Sequence, residues 1–199
     1  MKAKKLILLA VGLLMTGSAM AEKIRLVEGD LSPLKGVTKF NVQYKYDGMT
    51  VTTKNRNEDE FIREKQEEYN KKEAGKGDNW ARSWKADRHN RYEPQFKEQF
   101  DKQSGAEVGD FPNEKYTLIF TTTHAETGYN IGISRRNAYI DGEVTIVETA
   151  NPSHIIARLS VDDCAGRQFG GMDFDTGERL KEAYAVAGKG VGKFIRKKM

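Results

Sequence analysis

Residues 169–198 read FGGMDFDTGERLKEAYAVAGKGVGKFIRKK. A glycine-rich, acidic turn leads into a run in which Leu180, Ala183, Tyr184, Ala187, Val191, Phe194 and Ile195 recur at spacings of three and four. That period places them on one face of an α-helix. Asp175 or Thr176 can cap its first turn. Arg196, Lys197 and Lys198 close it where the helix dipole favours cations. Ala185, Gly188 and Gly192 keep part of its surface small. They predict a close approach to a sheet, despite the roughly 1 kcal/mol that a mid-helix glycine costs.

The strands that would receive this helix alternate with a period of two. Phe40, Val42, Tyr44 and Tyr46 are separated by Asn41, Gln43 and Lys45, the pattern of a half-buried strand. Asp47-Gly48 is then either a hairpin turn into Met49–Val51 or the strand's end. Tyr116–Thr122 is β-branched and aromatic, a central strand, and His124–Gly128 turns out of it. Tyr129, Ile131 and Ile133 alternate weakly. Ala138, Ile140, Val144 and Ile146 keep their alternation across Gly142, which favours one long strand bent at the glycine over a hairpin. Asn151-Pro152-Ser153 turns, and Ile155–Val161 returns as an antiparallel partner. With a short strand at Ile24–Val27, the chain reads as α+β. The expected sheet is mixed, mainly antiparallel and four- or five-stranded, with a C-terminal helix and a charged helical insert on one face.

That insert spans residues 54–103. Between Lys54 and Lys102 there are 13 basic and 12 acidic residues. Asn57 is the expected N-cap of a first helix, with Glu58, Asp59 and Glu60 in its first turn. Phe61, Ile62 and Tyr69 give it a narrow apolar face, and Gly75-Lys76-Gly77-Asp78 breaks it. Trp80, Trp84, Tyr92, Phe96 and Phe100 then stand at multiples of four. Such a repeat drifts by about 40° per step, so these rings cannot share one straight face. Pro94 predicts one helix to about Arg91 and another from about Pro94 to Gln103. The aromatics either cover the sheet, or form an arm on which Trp80, Trp84, Tyr92 and Phe96 meet a partner or ligand.

The N-terminus carries Lys2, Lys4 and Lys5, the apolar run Leu6–Met15, and a small-residue ending at Ala19-Met20-Ala21. This is the pattern of a secretory signal peptide over residues 1–21, cut between Ala21 and Glu22. Ten apolar residues are too few to span a bilayer, which takes about 20. No transmembrane helix is expected in the mature chain. No cysteine follows the apolar run, so lipidation is not expected, and the predicted location is periplasmic or secreted. The chain has 33 Lys and Arg against 29 Asp and Glu, and three of the lysines lie in the signal. Residues 22–199, one domain, are then near-neutral, without the basic excess of nucleic-acid binding. The single cysteine, Cys164, allows no internal disulfide and reads as a buried, inert thiol.

Chemistry-bearing motifs are scarce. Ala187–Lys193 resembles a phosphate loop only faintly. Phe194 stands where Ser or Thr is needed, and the run lies inside a helix. His89, His124 and His154 have no ligand spacing for zinc. Asp162, Asp163, Asp173 and Asp175 lack calcium-loop spacing, and turn or cap roles explain Asp173 and Asp175. No catalytic, cofactor-binding or metal residue is assigned, and no cofactor is expected.

The run from Ala138 through Ile140, Gly142, Val144 and Ile146 to Glu148, the return over Ile155–Val161, Gly166, and the helix carrying Arg179, Ala183, Gly188 and Lys193 together resemble an α/β domain of envelope proteins. It is found in the TolB N-terminal domain, the curli-secretion lipoprotein and uncharacterised secreted bacterial proteins. The likeness covers about Lys115–Lys198 plus Phe40–Tyr46, and it implies an assembly factor. The first functional expectation is therefore a non-enzymatic envelope interaction or assembly module with a protein partner. One alternative is a ligand-binding protein that takes a glycan or lipid on Trp80, Trp84 and Tyr92. The other is a hydrolase using Asp162, Asp163 or Asp173 with His154.

Overall fold

The computed structural model describes residues 23–131, 134–166 and 175–199. The segment read as an export signal, with its expected Ala21–Glu22 junction, and residues 170, 171 and 173 lie outside the described residues. In chain order, β1 (Ile24–Gly29) is followed by β2 (Lys39–Lys45), β3 (Thr50–Val51) and β4 (Arg56–Asn57). Then come α1 (Glu58–Lys72), α2 (Lys76–Asp87), one π-helical turn at Arg88–Tyr92, and α3 (Glu93–Ser104). The second half holds β5 (Glu107–Gly109), β6 (Tyr116–Glu126), the hairpin of β7 (Tyr129–Ile131) and β8 (Ser134–Arg136), β9 (Tyr139–Glu148), β10 (Asn151–Ala165) and α4 (Thr176–Lys198).

The main sheet has eight strands in the path β1-β10-β9-β6-β2-β5, with β3 beside β6 and β4 beside β3. The junctions from β1 to β6 are antiparallel; β6–β2, β2–β5 and β3–β6 are parallel. The sheet is therefore larger and more mixed than the four or five mainly antiparallel strands expected. The reason is the helical stretch after β4. Parallel neighbours need a long crossover, usually helical. Residues 54–103 are largely that crossover, carrying the chain from β2 to its parallel neighbour β6. Asp47-Gly48 makes no hairpin; it is the turn that follows the end of β2 at Lys45. The chain jogs there and resumes alongside β6, where Thr50 pairs with His124 and Val51 with Ala125. The strand over Ala138–Ile146 does run straight through Gly142, and β10 pairs with it antiparallel, as expected.

α3 and α4 cover one face of the sheet. Phe96 stacks on Phe120 with centroids 4.7 Å apart, and Phe100 meets Phe40 edge-on at 6.3 Å. Phe120 also meets Tyr184 of α4 edge-on. Each such buried aromatic contributes on the order of 1.5–3 kcal/mol through the area it removes from water. The alternate strand residues face away and are polar: Asn41 donates to Thr117 at 3.1 Å, and Arg158 pairs with Glu143.

Two local expectations are corrected. Gly188 and Gly192 do serve a close approach, but to α3 rather than the sheet. A Cβ on Gly188 would stand 2.2 Å from the Phe96 carbonyl oxygen. The helix also does not simply restart at Pro94. The π-helical turn joins α2 to α3, and Pro94 sits in the first turn of α3, where its missing N–H is harmless. A π turn winds fewer degrees per residue, and so takes up part of the drift of the four-residue aromatic repeat. The rest is used: Trp80 and Trp84 face α1, whereas Tyr92, Phe96 and Phe100 face α4 and the sheet.

Candidate functional site

α1 and α2 form a helical pair joined by rings. Phe61, Tyr69, Trp80 and Trp84 make four ring contacts with centroids 5.3–5.8 Å apart, two edge to face and two tilted. Gly77 lets the pair close, since a Cβ there would meet the Gln66 carbonyl oxygen. Asp78 locks the junction by accepting from Gln66 and Asn70 at 2.8 and 3.0 Å. Trp80 is the hub of this cluster, touching Phe61, Tyr69 and Trp84, and is only partly buried.

Beside Trp80 lies a cleft of about 400 Å³. Its walls come from five places in the chain: the β3–β4 turn, α1, α2, Thr127-Gly128 and Thr176 at the start of α4. Tyr69, Phe61 and Trp80 supply the aromatic wall, and Lys54, Arg56 and Lys65 the charge. Among the described residues that line it there is no carboxylate. Arg56 pairs with Glu64 and Lys65 with Glu68, both outside the lining, and the two cations also lie over Phe61 and Tyr69. Lys54 is exposed and has no ion-pair partner among the described residues.

The turn that carries Lys54 is strained. Thr52 has φ 64° and Asn55 φ 49°. A β-branched residue with positive φ is unusual and costs on the order of 1–3 kcal/mol. It is held there because Thr52 N donates to the Ala125 carbonyl at 3.0 Å and Asn55 N to the Thr52 carbonyl at 2.9 Å. The Thr52 hydroxyl is shielded and has no hydrogen-bond partner. Strain and an unsatisfied buried polar group thus coincide at one rim of the cleft.

A second hollow, about 360 Å³, opens at the end of β2. Its charges compensate each other. Glu58 is buried and accepts from Trp84 Nε1 at 2.7 Å, while Arg88 and Lys85 pair with the same carboxylate. The Arg88 guanidinium lies 4.2 Å from the Tyr46 ring centroid, and the Tyr46 hydroxyl donates to Glu93 at 3.1 Å. Burial first, then Tyr184 and Glu93, drives the Tyr46 phenol far above its ordinary range, so it is a fixed donor. This network ties β2 to the π-helical turn.

The structure separates the four aromatics singled out above. Trp84, Tyr92 and Phe96 are core residues, so a partner surface made of all four is ruled out by burial. Their rings find better partners inside: Tyr92 stacks on Tyr184 at 4.9 Å with the planes 4° apart. Trp80 alone borders open space. The acids of the hydrolase reading are also apart. His154 pairs with Glu148 at one end of β10, and Asp162 pairs with Arg25 near the other. Eight residues of extended chain separate them, roughly 26 Å. Asp175 caps α4, accepting from Gly177 N at 2.8 Å. Cys164 is buried, which pushes its thiol up to about 12. Among the described residues, no group of three His, Cys, Asp or Glu side chains is placed to hold a metal.

Sequence reading missed Thr52, Lys54, Arg56 and Lys65. A signal was present: residues 50–57, TVTTKNRN, hold two cations and no acid directly before three consecutive acids.

No family model and no curated protein matches the chain. Solved structures similar to it include two PelC dodecamers from Paraburkholderia phytofirmans, one of them a variant with leucine replaced by methionine. The variant is 12% identical over 84% of this chain and 97% of that chain, with a TM-score of 0.36. The other is 10% identical over 82% of this chain and 95% of that chain, with a TM-score of 0.34. At that level of similarity neither fold detail nor function transfers.

Proposed function

We propose that this protein is a non-enzymatic binding module of the cell envelope that takes an acidic saccharide in the Trp80 cleft. The observation that carries this reading is the composition of the cleft: three cations, an aromatic wall and no carboxylate. A sugar ring lays its apolar C–H face on an aromatic ring, and its carboxylate or phosphate answers to Lys54, Arg56 and Lys65. A lining without a carboxylate also lacks the acid pair that glycoside hydrolysis uses, which favours binding over turnover. The envelope location rests on the export signal expected over residues 1–21.

The test is a fluorescence titration with a uronic-acid oligosaccharide and with a neutral oligosaccharide of the same length. Trp80 and Trp84 are the two tryptophans of the chain, so quenching reports on this corner. The acidic ligand is expected to quench and the neutral one to be at least tenfold weaker. Lys54→Gln, an exposed change, should weaken the acidic ligand several-fold. Equal response to both ligands, or none, overturns the reading.

A further inference from the structure

The C-terminal half of α4 concentrates charge in a way the rest of the chain does not. Residues 183–199 hold Lys189, Lys193, Arg196, Lys197 and Lys198 and no acid. Of the 33 Lys and Arg, three lie in residues 1–21 and five in this segment; the remaining 25 face all 29 Asp and Glu in residues 22–182. The body of the protein is thus mildly acidic, and the end of α4 strongly basic. By contrast, Lys72 and Lys102 are neutralised within their helices by Glu68 and Glu98, and Lys76 pairs with Glu73 across the α1–α2 junction. The five α4 cations are all exposed and have no ion-pair partner among the described residues.

Their spacing matters. Lys189, Lys193 and Lys197 follow one another at four residues, a row along one side of the helix, with Arg196 beside it. The opposite side is core: Ala187, Val191, Phe194 and Ile195 are buried. The helix dipole accounts for cations in the last turn only. Lys189 and Lys193 lie one and two turns further in.

The strand next to this helix is also unusual. β1 is the free edge of the sheet and meets α4 where Ile24 approaches Gly190. Leu26 is 41% exposed and Val27 64% exposed. Among the described residues these are two of only three exposed large apolar side chains.

We infer that this edge, the α4 lysine row with Leu26 and Val27, docks on an anionic lipid surface. The charge is spread along a convex row and not gathered in a pocket. It is carried mainly by lysines, which act as point charges on flexible stems and not as planar forks. Such a row answers to a laterally continuous negative surface, and the neighbouring apolar pair enters the headgroup boundary. The inference is independent of the Trp80 cleft.

The experiment is co-sedimentation of the protein purified from the envelope with vesicles of phosphatidylcholine, alone or with 30% phosphatidylglycerol. Binding is expected to the anionic vesicles only and to be lost in high salt. Combining Lys189→Gln, Lys193→Gln and Lys197→Gln should weaken it on the order of a hundredfold. The same change at Lys72, Lys76 and Lys102 should leave it within twofold, as should Lys54→Gln. These are exposed positions, and circular dichroism confirms the fold of each variant. Equal binding to neutral vesicles, binding indifferent to the α4 lysines, or capture by a soluble polyanion with no binding to anionic vesicles each overturns the inference.

Discussion

Glu58 Oε1 accepts a hydrogen bond from Trp84 Nε1 at 2.7 Å, and Glu58 is only 8% exposed. Arg88 and Lys85 share the same carboxylate. Removing one member of a buried charged set strands the others, which costs about 3 kcal/mol. Glu58→Ala should lower unfolding free energy by that amount in urea. Glu58→Gln keeps an acceptor for the indole and should lose less. A loss below about 1 kcal/mol for the alanine variant would falsify the role given to this carboxylate.

Arg91 joins the start of α4 to the π-helical turn, with Nη1 2.6 Å from Asp175 and Nε 3.0 Å from Asp87. Burial alone would raise the Asp175 carboxyl, but the bonds from Arg91 and from Gly177 N outweigh it and hold it below its ordinary range. A carboxyl lowered by folding adds stability above its unfolded pKa, about 4, and that stability is lost as pH falls through the folded value. Asp87, raised chiefly by burial, has the opposite sign. Asp175→Asn keeps a good N-cap and removes only the charge. It should cost less than about 1 kcal/mol at neutral pH, because the side chain is half exposed. Its melting temperature should fall less steeply below pH 4 than that of the parent; an unchanged slope tells against the pairing.

Two glycines on α4 should respond oppositely to alanine. At Gly188 the new methyl would sit 2.2 Å from a backbone oxygen of α3, which cannot yield without moving the helix. Gly188→Ala should destabilise by about 2 kcal/mol or more. At Gly190 the nearest atoms are the flexible end of Ile24, at 3.0 and 3.3 Å. Gly190→Ala gains up to about 1 kcal/mol of helix propensity and should be neutral or stabilising. Thermal melts of the pair decide it.

Burial and an elevated thiol pKa make Cys164 a poor nucleophile in the folded state. Native protein at pH 8 should react with a thiol reagent at least a hundredfold more slowly than the unfolded chain. Rapid native labelling would mean that the end of β10 opens.

How far the sequence reached depended on element length. α4, β2, β6, β9 and β10 each carry enough residues for their period to show, and Asn57 caps α1 as its chemistry requires. β3, β4 and β5 have two or three residues, too few for any period, so the sheet looked smaller than it is. The parallel order was within reach, because a helical stretch between two strands is itself the sign of a crossover. The cleft was mostly hidden. The aromatic repeat groups Trp80 with three rings that are core, since its spacing does not say which ring borders open space. Lys54, Arg56 and Lys65 meet it only through a turn and a helix pairing that no local pattern encodes.

The pairing of β2 with β6 joins Asn41 to Thr117, 76 residues apart, and Arg25 on β1 meets Asp162 at a separation of 137. β2 therefore has no sheet neighbour until β5 and β6 are available, and β1 has none until β10, in the final third of the chain. Closing such long loops before any contact rewards them places this protein among slow folders, with times of milliseconds to seconds. The sheet stays without its β1 edge until β10 has been made.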